Sequence, residues 1–324
     1  MVHGKCTAIL LLVIFLLLCS EAAETRISSS IPIDPQVFSH VVKIDSFSEF
    51  RKSRVSGTGF LVSRGFKSDW RTGRALFLVT NKHMLSDWTL ADGNISKFNK
   101  SIKIHFQADE GPRTPVTVAL CDRKGRAIRR RVETHMNGQV DLAVVYLGRD
   151  RGDDRDFTVP SFDVRHLMPF DKMPAQEFKV GSRIYVLGYP YGLTSFRDNH
   201  PIAKYGFIAS RPGMPLSLQI KVTNRQRKTR LVKFHGKILI VKGPVGPGHS
   251  GGPVLSPSQV KPFRNPSTRQ WEYFTTPADN LVIGILSGGF GSSGYCYIYG
   301  ADYIIETLDR FFIRRRWVPT EPWP

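Results

Sequence analysis

The feature that most constrains the fold is a succession of short apolar, β-branched segments separated by glycine, proline and charged residues. Such segments recur from Val41 onward, and long segments whose apolar residues follow a helical period are few. Many short strands with turn residues between them are typical of antiparallel sandwiches and barrels. The pattern therefore predicts an all-β protein.

The predicted strands fall into two groups. The first comprises residues 57–62, 75–80, 102–106, 115–120 and 141–147, and the second comprises 183–187, 203–209, 216–222, 238–242, 252–255, 281–287 and 295–299. A charged, loop-like segment separates the groups, so their junction is expected near 148–160. The proline-rich segment 256–279 is predicted to be a surface loop. Residues 301–313 are predicted to form a helix because their apolar side chains recur at helical spacing.

The N-terminal segment has the features of an export signal. A short positive start, an apolar run from Thr7 to Leu18 and small residues near Ala22 predict a signal peptide at 1–22. The apolar run is too short to span a bilayer comfortably, and an uncleaved anchor is the alternative. We expect 23–40 to form an N-terminal extension and 314–324 a C-terminal tail. The mature protein is expected to be secreted or periplasmic, without a stable membrane span.

The chain is strongly basic, with a formal net charge of +19 over 324 residues. Such a charge favours anionic partners. The stretch 225–233 contains Arg225, Arg227, Lys228, Arg230 and Lys233, and it predicts a contact with an anionic polymer or an acidic surface. A solvated face is the alternative. Zinc-finger cysteine spacing and a basic–aromatic RNA-binding signature are both missing from the sequence, so no specific nucleic-acid recognition is expected.

Four cysteines occur in the chain, and two of them, Cys6 and Cys19, belong to the predicted signal peptide. Cys121 and Cys296 remain, and in an exported protein they could form one disulfide. Two free thiols are the alternative, and the sequence does not decide between them. We expect neither a cofactor nor a metal site.

A serine flanked by glycines stands in the segment Gly246–Pro253, whose sequence is Gly-Pro-Gly-His-Ser-Gly-Gly-Pro. Glycines let the backbone turn sharply and let a bound group approach the main chain closely. A nucleophilic serine needs both properties, because neighbouring N–H groups must point at the oxyanion that forms on attack. Ser250 is therefore a candidate nucleophile.

A candidate base and a candidate acid precede this serine. His83 follows directly after an apolar predicted strand, and Asp141 opens another. An ionised carboxylate in apolar surroundings is costly unless a donor pairs with it, and a histidine is a natural donor. In catalysis by a serine, the histidine removes the hydroxyl proton and the aspartate orients the imidazole.

With these segments the sequence resembles the trypsin-like (chymotrypsin-fold) serine peptidases, in particular bacterial and HtrA-like protease domains without a PDZ module. The resemblance rests on residues 57–62, 79–83, 141–145, 248–253 and 282–289 and covers roughly 41–313. It implies a protease domain over 41–313. The implied fold is two antiparallel six-stranded β-barrels followed by a C-terminal helix.

The resemblance also implies roles for individual residues. Ser250 is the implied nucleophile, His83 the general base and acid, and Asp141 the orienting carboxylate. The N–H groups of Gly248 and Ser250 are implied to form the oxyanion hole. His249 departs from the aspartate that digestive members carry before the serine, so their route of zymogen activation is not expected here.

The substrate pocket implied by the resemblance involves Pro244, Ser287, Gly288 and Gly289. Pro244 stands where trypsin has an acid, so a basic side chain would find no charged partner there. Small or medium apolar side chains are therefore the predicted substrates, with aromatic residues near Tyr297 narrowing the far side of the pocket.

The function predicted from the sequence is that of an exported serine endopeptidase that works through a Ser-His-Asp triad and an acyl-enzyme. Two alternatives come from other classes of protein. The first is a catalytically inactive binding module with the protease fold, and the second is a basic protein that binds anionic polymers.

Overall fold

The computed structural model describes residues 33–48, 52–69, 71–107, 114–150, 159–174, 178–194, 199–223, 228–243, 245–257, 260–264, 271–275 and 280–323. The predicted signal peptide 1–22, most of the predicted junction, Pro244, Arg225 and Arg227 lie outside these ranges.

The first half of the chain builds one sheet around two long central strands. Its seven main strands are ordered β5-β4-β1-β2-β3-β7-β6. Their bounds are β1 (Val41–Ser48), β2 (Ser53–Ser68), β3 (Arg71–Thr80), β4 (Ser101–His105), β5 (Val116–Ala119), β6 (Val132–Thr134) and β7 (Ala143–Asp150). The short β8 (Phe162–Asp163) and β19 (Val318–Pro319) also pair with β2. The described strands form a half-barrel, whereas the resemblance implied a closed six-stranded barrel.

Alternation along β2 explains why this sheet carries two cores. Leu61 packs inside the half-barrel with Ile44 and Leu78, whereas Phe60 and Val62 belong to the larger core that also includes the C-terminal helix. Successive side chains of a strand point to opposite faces, so a strand buried on both faces is apolar at successive positions.

The second half of the chain closes into a six-stranded barrel ordered β10-β13-β18-β17-β14-β9. Its strands are β9 (Arg183–Gly188), β10 (Ile202–Ile208), β13 (Ile238–Lys242), β14 (Pro253–Leu255), β17 (Val282–Gly289) and β18 (Tyr295–Gly300). Two hairpins leave the barrel, formed by β11 (Leu216–Thr223) with β12 (Thr229–Gly236) and by β15 (Val260–Arg264) with β16 (Trp271–Thr275). The second hairpin lies in the segment predicted to be a loop, where aromatic and β-branched residues suit a two-stranded ladder despite the prolines.

Two α-helices occur in the described part of the chain. The single turn α1 (Lys82–Leu85) follows β3, and α2 (Ala301–Arg315) follows β18. Ile304, Leu308 and Phe311 of α2 face the core, as their spacing predicted. Short 3-10 helices cover Pro35–His40, Val164–His166, Pro190–Gly192 and Gly291–Ser293. The all-β class with a C-terminal helix is thus confirmed.

Both remaining cysteines are free thiols. Cys296 is buried, its Sγ lies 3.7 Å from the carbonyl oxygen of Val241, and burial raises the pKa of its thiol to about 12. Cys121 is half-buried, and its Sγ lies 3.5 Å from the carbonyl oxygen of Asn99.

A helix long and apolar enough to span a bilayer does not occur among the described residues.

Candidate functional site

The pairing of β3 with β7 brings His83 and Asp141 together, because each lies close to the end of its strand. The His83 Nδ1 atom lies 2.6 Å from Asp141 Oδ2, and the His83 backbone N–H donates to Asp141 Oδ1 at 3.1 Å. Both carboxylate oxygens therefore hold the same residue. The Asn81 side chain donates to the backbone oxygen of Asp141 at 2.7 Å, which ties the start of α1 to the segment before β7.

A third donor reaches the Asp141 carboxylate from the second barrel. Ser287, on β17, donates from its hydroxyl to Asp141 Oδ2 at 2.9 Å. Asp141 is buried, and a buried carboxylate is stabilised only when donors surround it. Tyr297 lies behind this contact and is hydrogen-bonded to Ser287, and burial raises the pKa of its phenol to about 12. The phenol therefore stays neutral beside the carboxylate.

The serine loop 246–252 has a conformation that requires glycine at two positions. Gly248 and Gly251 have φ of +97° and +87°, values that side-chain-bearing residues rarely adopt. A Cβ on Gly248 would overlap the carbonyl oxygen of Tyr189, and one on Gly251 would overlap that of Thr58. The loop thus packs its backbone directly against neighbouring backbone on both sides.

Ser250 also contacts Ser287. Its Oγ lies 3.5 Å from the Ser287 carbonyl oxygen, so Ser250 and Asp141 approach the same residue of β17. Hydrogen bonds between His83 and Ser250 are absent in the described part of the chain. Catalytic hydrogen bonds are often long before substrate binds.

Two N–H groups of the loop stand out because they have no acceptor within the described ranges. Those of Gly248 and Ser250 are unpaired, whereas the N–H groups of Gly251 and Gly252 donate to Leu286 and His249. Backbone N–H groups inside proteins are almost always paired. This pair is therefore available to an external acceptor such as a carbonyl oxygen or an oxyanion.

The orientation of the peptide before Gly248 is held by the 3-10 turn Pro190–Gly192. The Tyr191 N–H donates to the Pro247 carbonyl oxygen at 2.7 Å. Peptide bonds of the described chain are trans, so the Gly248 N–H points opposite to that carbonyl and away from Tyr191. The turn thereby selects the direction in which the Gly248 donor is presented.

Thr58 on β2 is a residue whose role at the site the sequence did not reveal. Its buried hydroxyl donates to the Gly248 carbonyl oxygen at 2.6 Å and accepts from the Tyr189 N–H at 3.0 Å. Its own N–H donates to the Ser250 carbonyl oxygen at 3.0 Å. Thr58 thus ties the serine loop to the first sheet. The sequence indicated residues 57–62 as a strand and as part of the family resemblance, without a role for the Thr58 side chain.

His249 occupies the position of the missing acid and is 1% exposed. Its Nδ1 lies 3.2 Å from the Gly246 nitrogen and 3.1 Å from the Gly246 oxygen, so the ring closes the turn before the serine. Burial lowers the pKa of the imidazole, and its Nε2 atom has no partner among the described residues. The residue therefore supports the loop as a neutral group, without an ion pair.

Lys82 is a second residue that sequence inspection missed. It is 2% exposed, and its Nζ donates to the backbone oxygens of Asn137 and Gly138 at 3.2 and 3.4 Å. Burial lowers the pKa of the ammonium group to about 8, against the attraction of Asp141. A buried cation thus lies beside the histidine that contacts Asp141.

The predicted substrate pocket is described in part. Ser287 is buried and bonded to Asp141, whereas Gly288 is half-buried and Gly289 is exposed. A Cβ on Gly288 would lie 2.8 Å from the Tyr297 hydroxyl, so this aromatic side chain closes the space behind Gly288. Pro244 lies outside the described residues.

Residues 229–233 of the basic stretch 225–233 lie on β12. Arg230 and Lys233 on β12 are exposed, and Arg225 and Arg227 lie outside the described ranges. Across the described ranges, no three His, Cys, Asp or Glu side chains are grouped so that they could hold a metal ion.

Comparison with known proteins gives one family and a set of similar folds. A family model described as "Trypsin-like peptidase domain" matches residues 57–261, a range that contains His83, Asp141 and Ser250. No match is found among curated proteins.

Among solved structures, the chain is similar to the active form of the Rv3671c protease from M. tuberculosis, with 16% identity and a TM-score of 0.47 over 91% of this chain and 93% of that one. It is also similar to the serine endoprotease from Yersinia pestis, with 14% identity and a TM-score of 0.45 over 86% and 64%. Deg5 has 14% identity and a TM-score of 0.45 over 87% and 92%.

Proposed function

Because this chain belongs to the trypsin-like peptidase domain family, we propose that it is a serine endopeptidase that cleaves peptide bonds through an acyl-enzyme on Ser250. The observation that carries the proposal is the pair of unpaired N–H groups on Gly248 and Ser250. The Tyr191 N–H holds the carbonyl of the peptide before Gly248, and the Gly252 N–H holds the carbonyl of the peptide before Ser250, so both donors are oriented before substrate binds. Donors placed in advance are worth most where charge develops in the transition state.

The proposed reaction uses His83 as base and then as acid. Its Nε2 accepts the Ser250 hydroxyl proton while Oγ attacks the substrate carbonyl carbon, and the resulting oxyanion accepts hydrogen bonds from the two N–H groups. The imidazolium then gives the proton to the leaving amine nitrogen as the peptide bond breaks. Water repeats the sequence on the acyl ester and releases the new carboxylate and free Ser250. Asp141 holds Nδ1 protonated throughout, which its 2.6 Å contact supports.

A fluorophosphonate probe tests this proposal directly. The probe phosphonylates a serine only when a base and an oxyanion site activate it, so we expect labelling of the mature protein and none of Ser250→Ala. Ser39→Ala, a serine at the other end of the chain whose hydroxyl donates to Gln36, is the matched control and should label normally.

His83→Ala alone should lose nearly as much turnover as the double variant with Ser250→Ala, because triad members act as a unit. Clearly additive losses would contradict that unit.

A second candidate function is that of an inactive binding module with the same fold. It is favoured by one observation, the contact of Ser250 Oγ with Ser287 at 3.5 Å in place of a contact with His83. A well-folded protein that is never labelled, together with undiminished peptide binding by Ser250→Ala, would establish that function.

The proposed substrates have small or medium apolar side chains at the cleaved residue. Tyr297 supports this preference, because its hydroxyl lies close behind Gly288 and stays uncharged. Profiling the mature enzyme on a peptide library tests the preference, and robust cleavage after Lys or Arg would overturn it.

We also propose that the protein is exported to the periplasm or beyond the cell, on the basis of the signal-like segment 1–22. N-terminal sequencing of protein recovered outside the cytoplasm should find a start close to Ala23. A start at Met1 in a membrane fraction would favour the uncleaved anchor.

A further inference from the structure

A concave basic surface lies on the far end of α2, apart from the site of His83 and Ser250. Its cavity of about 740 Å³ is formed by the turn before β6 and the last turn of the helix. We call it the arginine pocket, and its polar lining consists of Arg129, Arg130, Glu133, Arg314 and Arg315, with Trp317 at one side.

The guanidinium of Arg315 is held rigidly in the wall of this pocket. Its Cζ lies 5.1 Å from the ring centre of Tyr146, 4.9 Å from that of Phe311 and 5.1 Å from that of Trp317. The guanidinium also donates to the backbone oxygen of Arg130. Because its rotamer is already restricted, Arg315 would lose little further entropy when an anion binds.

The acidic side chain in the lining of the pocket, Glu133, already forms two ion pairs. Glu133 is 3% exposed, and its two carboxylate oxygens accept from Arg310 at 3.1 Å and from Arg314 at 2.8 Å. Arg129 and Arg130 are exposed, and neither takes part in an ion pair in the described ranges. Within the described part of the chain, the arginines around this opening therefore carry more positive charge than Glu133 neutralises.

Like charges placed this close together repel one another in the free protein. Burial lowers the pKa of the Arg315 guanidinium, and the Arg130 charge lowers it further, against an opposing effect of Tyr146. A bound polyvalent anion would relieve the repulsion and accept bidentate hydrogen bonds from the planar groups.

We propose that the arginine pocket binds a multivalent tetrahedral oxyanion, namely a soluble phosphate-bearing chain whose successive groups contact Arg129, Arg130 and Arg315. Binding of this ligand to the arginine pocket would not depend on catalysis by Ser250. The lining of the pocket includes no residue of the 225–233 stretch, the site at which the sequence predicted anion binding.

Two features favour a soluble phosphate chain over a single-stranded nucleic acid or a bilayer surface. Trp317 is stacked on Phe66 at 4.2 Å between ring centres, and the Arg315 Cζ lies 5.1 Å from its ring centre. Its ring therefore already has stacking partners and is a poor platform for a base, which single-stranded nucleic-acid sites require. The opening is concave, whereas a bilayer surface is flat. Ile313 and Val318 are exposed nearby, and for this reason an anionic bilayer is tested as a separate outcome.

The test uses the mature Ser250→Ala protein, which cannot degrade itself, and inorganic polyphosphate as the probe in a calorimetric or anisotropy titration. Arg129→Gln/Arg130→Gln should weaken binding about tenfold or more near physiological salt. It should also reduce the slope of log K against log salt by about one to two. The matched control, Arg230→Gln/Lys233→Gln, removes the same charge from the β11–β12 hairpin and should change binding by less than about twofold.

A variant that is expected to raise the affinity for polyphosphate separates pocket binding from damage to the fold. Glu133→Gln removes the one acid that lines the pocket, so polyphosphate binding should strengthen, while thermal melting checks that each variant is folded. Equal weakening by both double variants would mean attraction by net charge alone and would overturn the proposal. An absence of polyphosphate binding, or unchanged binding by folded Glu133→Gln, would also overturn it. So would a protein that sediments with phosphatidylglycerol vesicles but shows no polyphosphate binding that depends on the pocket.

Discussion

Thr58→Val is the substitution that tests most directly how the serine loop is held. Valine has nearly the same shape as threonine, so the packing of β2 against the loop is kept and only the hydroxyl is removed. The Gly248 carbonyl oxygen and the Tyr189 N–H then both lose a buried partner. The substitution therefore acts on the backbone of the proposed oxyanion site and leaves His83, Asp141 and Ser250 in place.

The magnitude of the effect can be worked from these two contacts. Leaving a buried polar group unpaired costs about 1–3 kcal/mol, so two such groups should lower the free energy of unfolding by roughly 2–6 kcal/mol. Within the described part of the chain, the Gly248 backbone is then held only on its N-terminal side, by the bond from Tyr191 to the Pro247 carbonyl oxygen, so the direction of its N–H is less well fixed. Full loss of the Gly248 donor would remove about 3 kcal/mol of transition-state stabilisation. We expect kcat to fall between about tenfold and a hundredfold, with KM little changed, because a donor to the oxyanion acts in the transition state.

The assay combines turnover of a peptide substrate, the rate of fluorophosphonate labelling, and denaturant unfolding of the same preparations. Thr58→Ser is the matched control, since it keeps the hydroxyl and loses one methyl group. It should lose about 1 kcal/mol of stability and retain most of its labelling rate. If Thr58→Val labels as fast as the native protein while Thr58→Ser is equally destabilised, the hydroxyl does not position the loop.

Three other predictions concern buried charged or titratable groups. Burial lowers the pKa of Lys82 from 10.5 to about 8, so the unfolded chain binds more protons between these values. The free energy of unfolding of the native protein, measured relative to Lys82→Met, should therefore rise with pH across this window by at most about 1.4 kcal/mol per pH unit. Denaturant titrations in which this difference does not change with pH would contradict the prediction. Burial, with a smaller contribution from the Lys204 charge, lowers the pKa of His249 from 6.5. The ring becomes charged, and its neutral support of the loop is lost, only as pH falls through this lowered pKa. The labelling rate of His249→Asn should therefore decrease less steeply with falling pH than that of the native protein. Equal pH profiles would refute this. Arg64 is buried against Trp323 with its Nη1 2.7 Å from Asp309, and Arg64→Met should lower stability by roughly 2 kcal/mol without changing the labelling rate, which melting and labelling together would show.

The sequence predicted the strand-rich class and the C-terminal helix because both depend on local periodicity. Alternation and β-branching identify strands such as β2 and β3, and the spacing of Ile304, Leu308 and Phe311 identifies α2. The closure of each sheet depends on register between distant strands, which is why the half-barrel of the first half was not foreseen. Pairing of β19 with β2 likewise joins residues about 250 positions apart.

The candidate site shows the same division. His83, Asp141 and Ser250 were identified because each stands in a short, distinctive segment, and their order along the chain is visible at once. The groups that hold them were not identified from the sequence. Thr58 is one threonine among many in predicted strands, and a lysine such as Lys82 is ordinarily solvated. Only the folded chain brings Thr58 to the Gly248 carbonyl oxygen and buries Lys82 beside Asp141.

The sequence by itself determined which chemical groups this protein has and where its backbone must bend. Glycine at 248 and 251 is required by local geometry, and the apolar runs around His83 and Asp141 require burial. Tertiary structure decided which of these groups meet. Ser287 reaches Asp141, and the arginines at 129–130 meet those at 314–315, because barrel closure and helix packing join segments that are far apart along the chain. Contacts of this kind depend on the register between distant strands and on how the two hydrophobic cores pack. Neither can be predicted from a short segment of sequence.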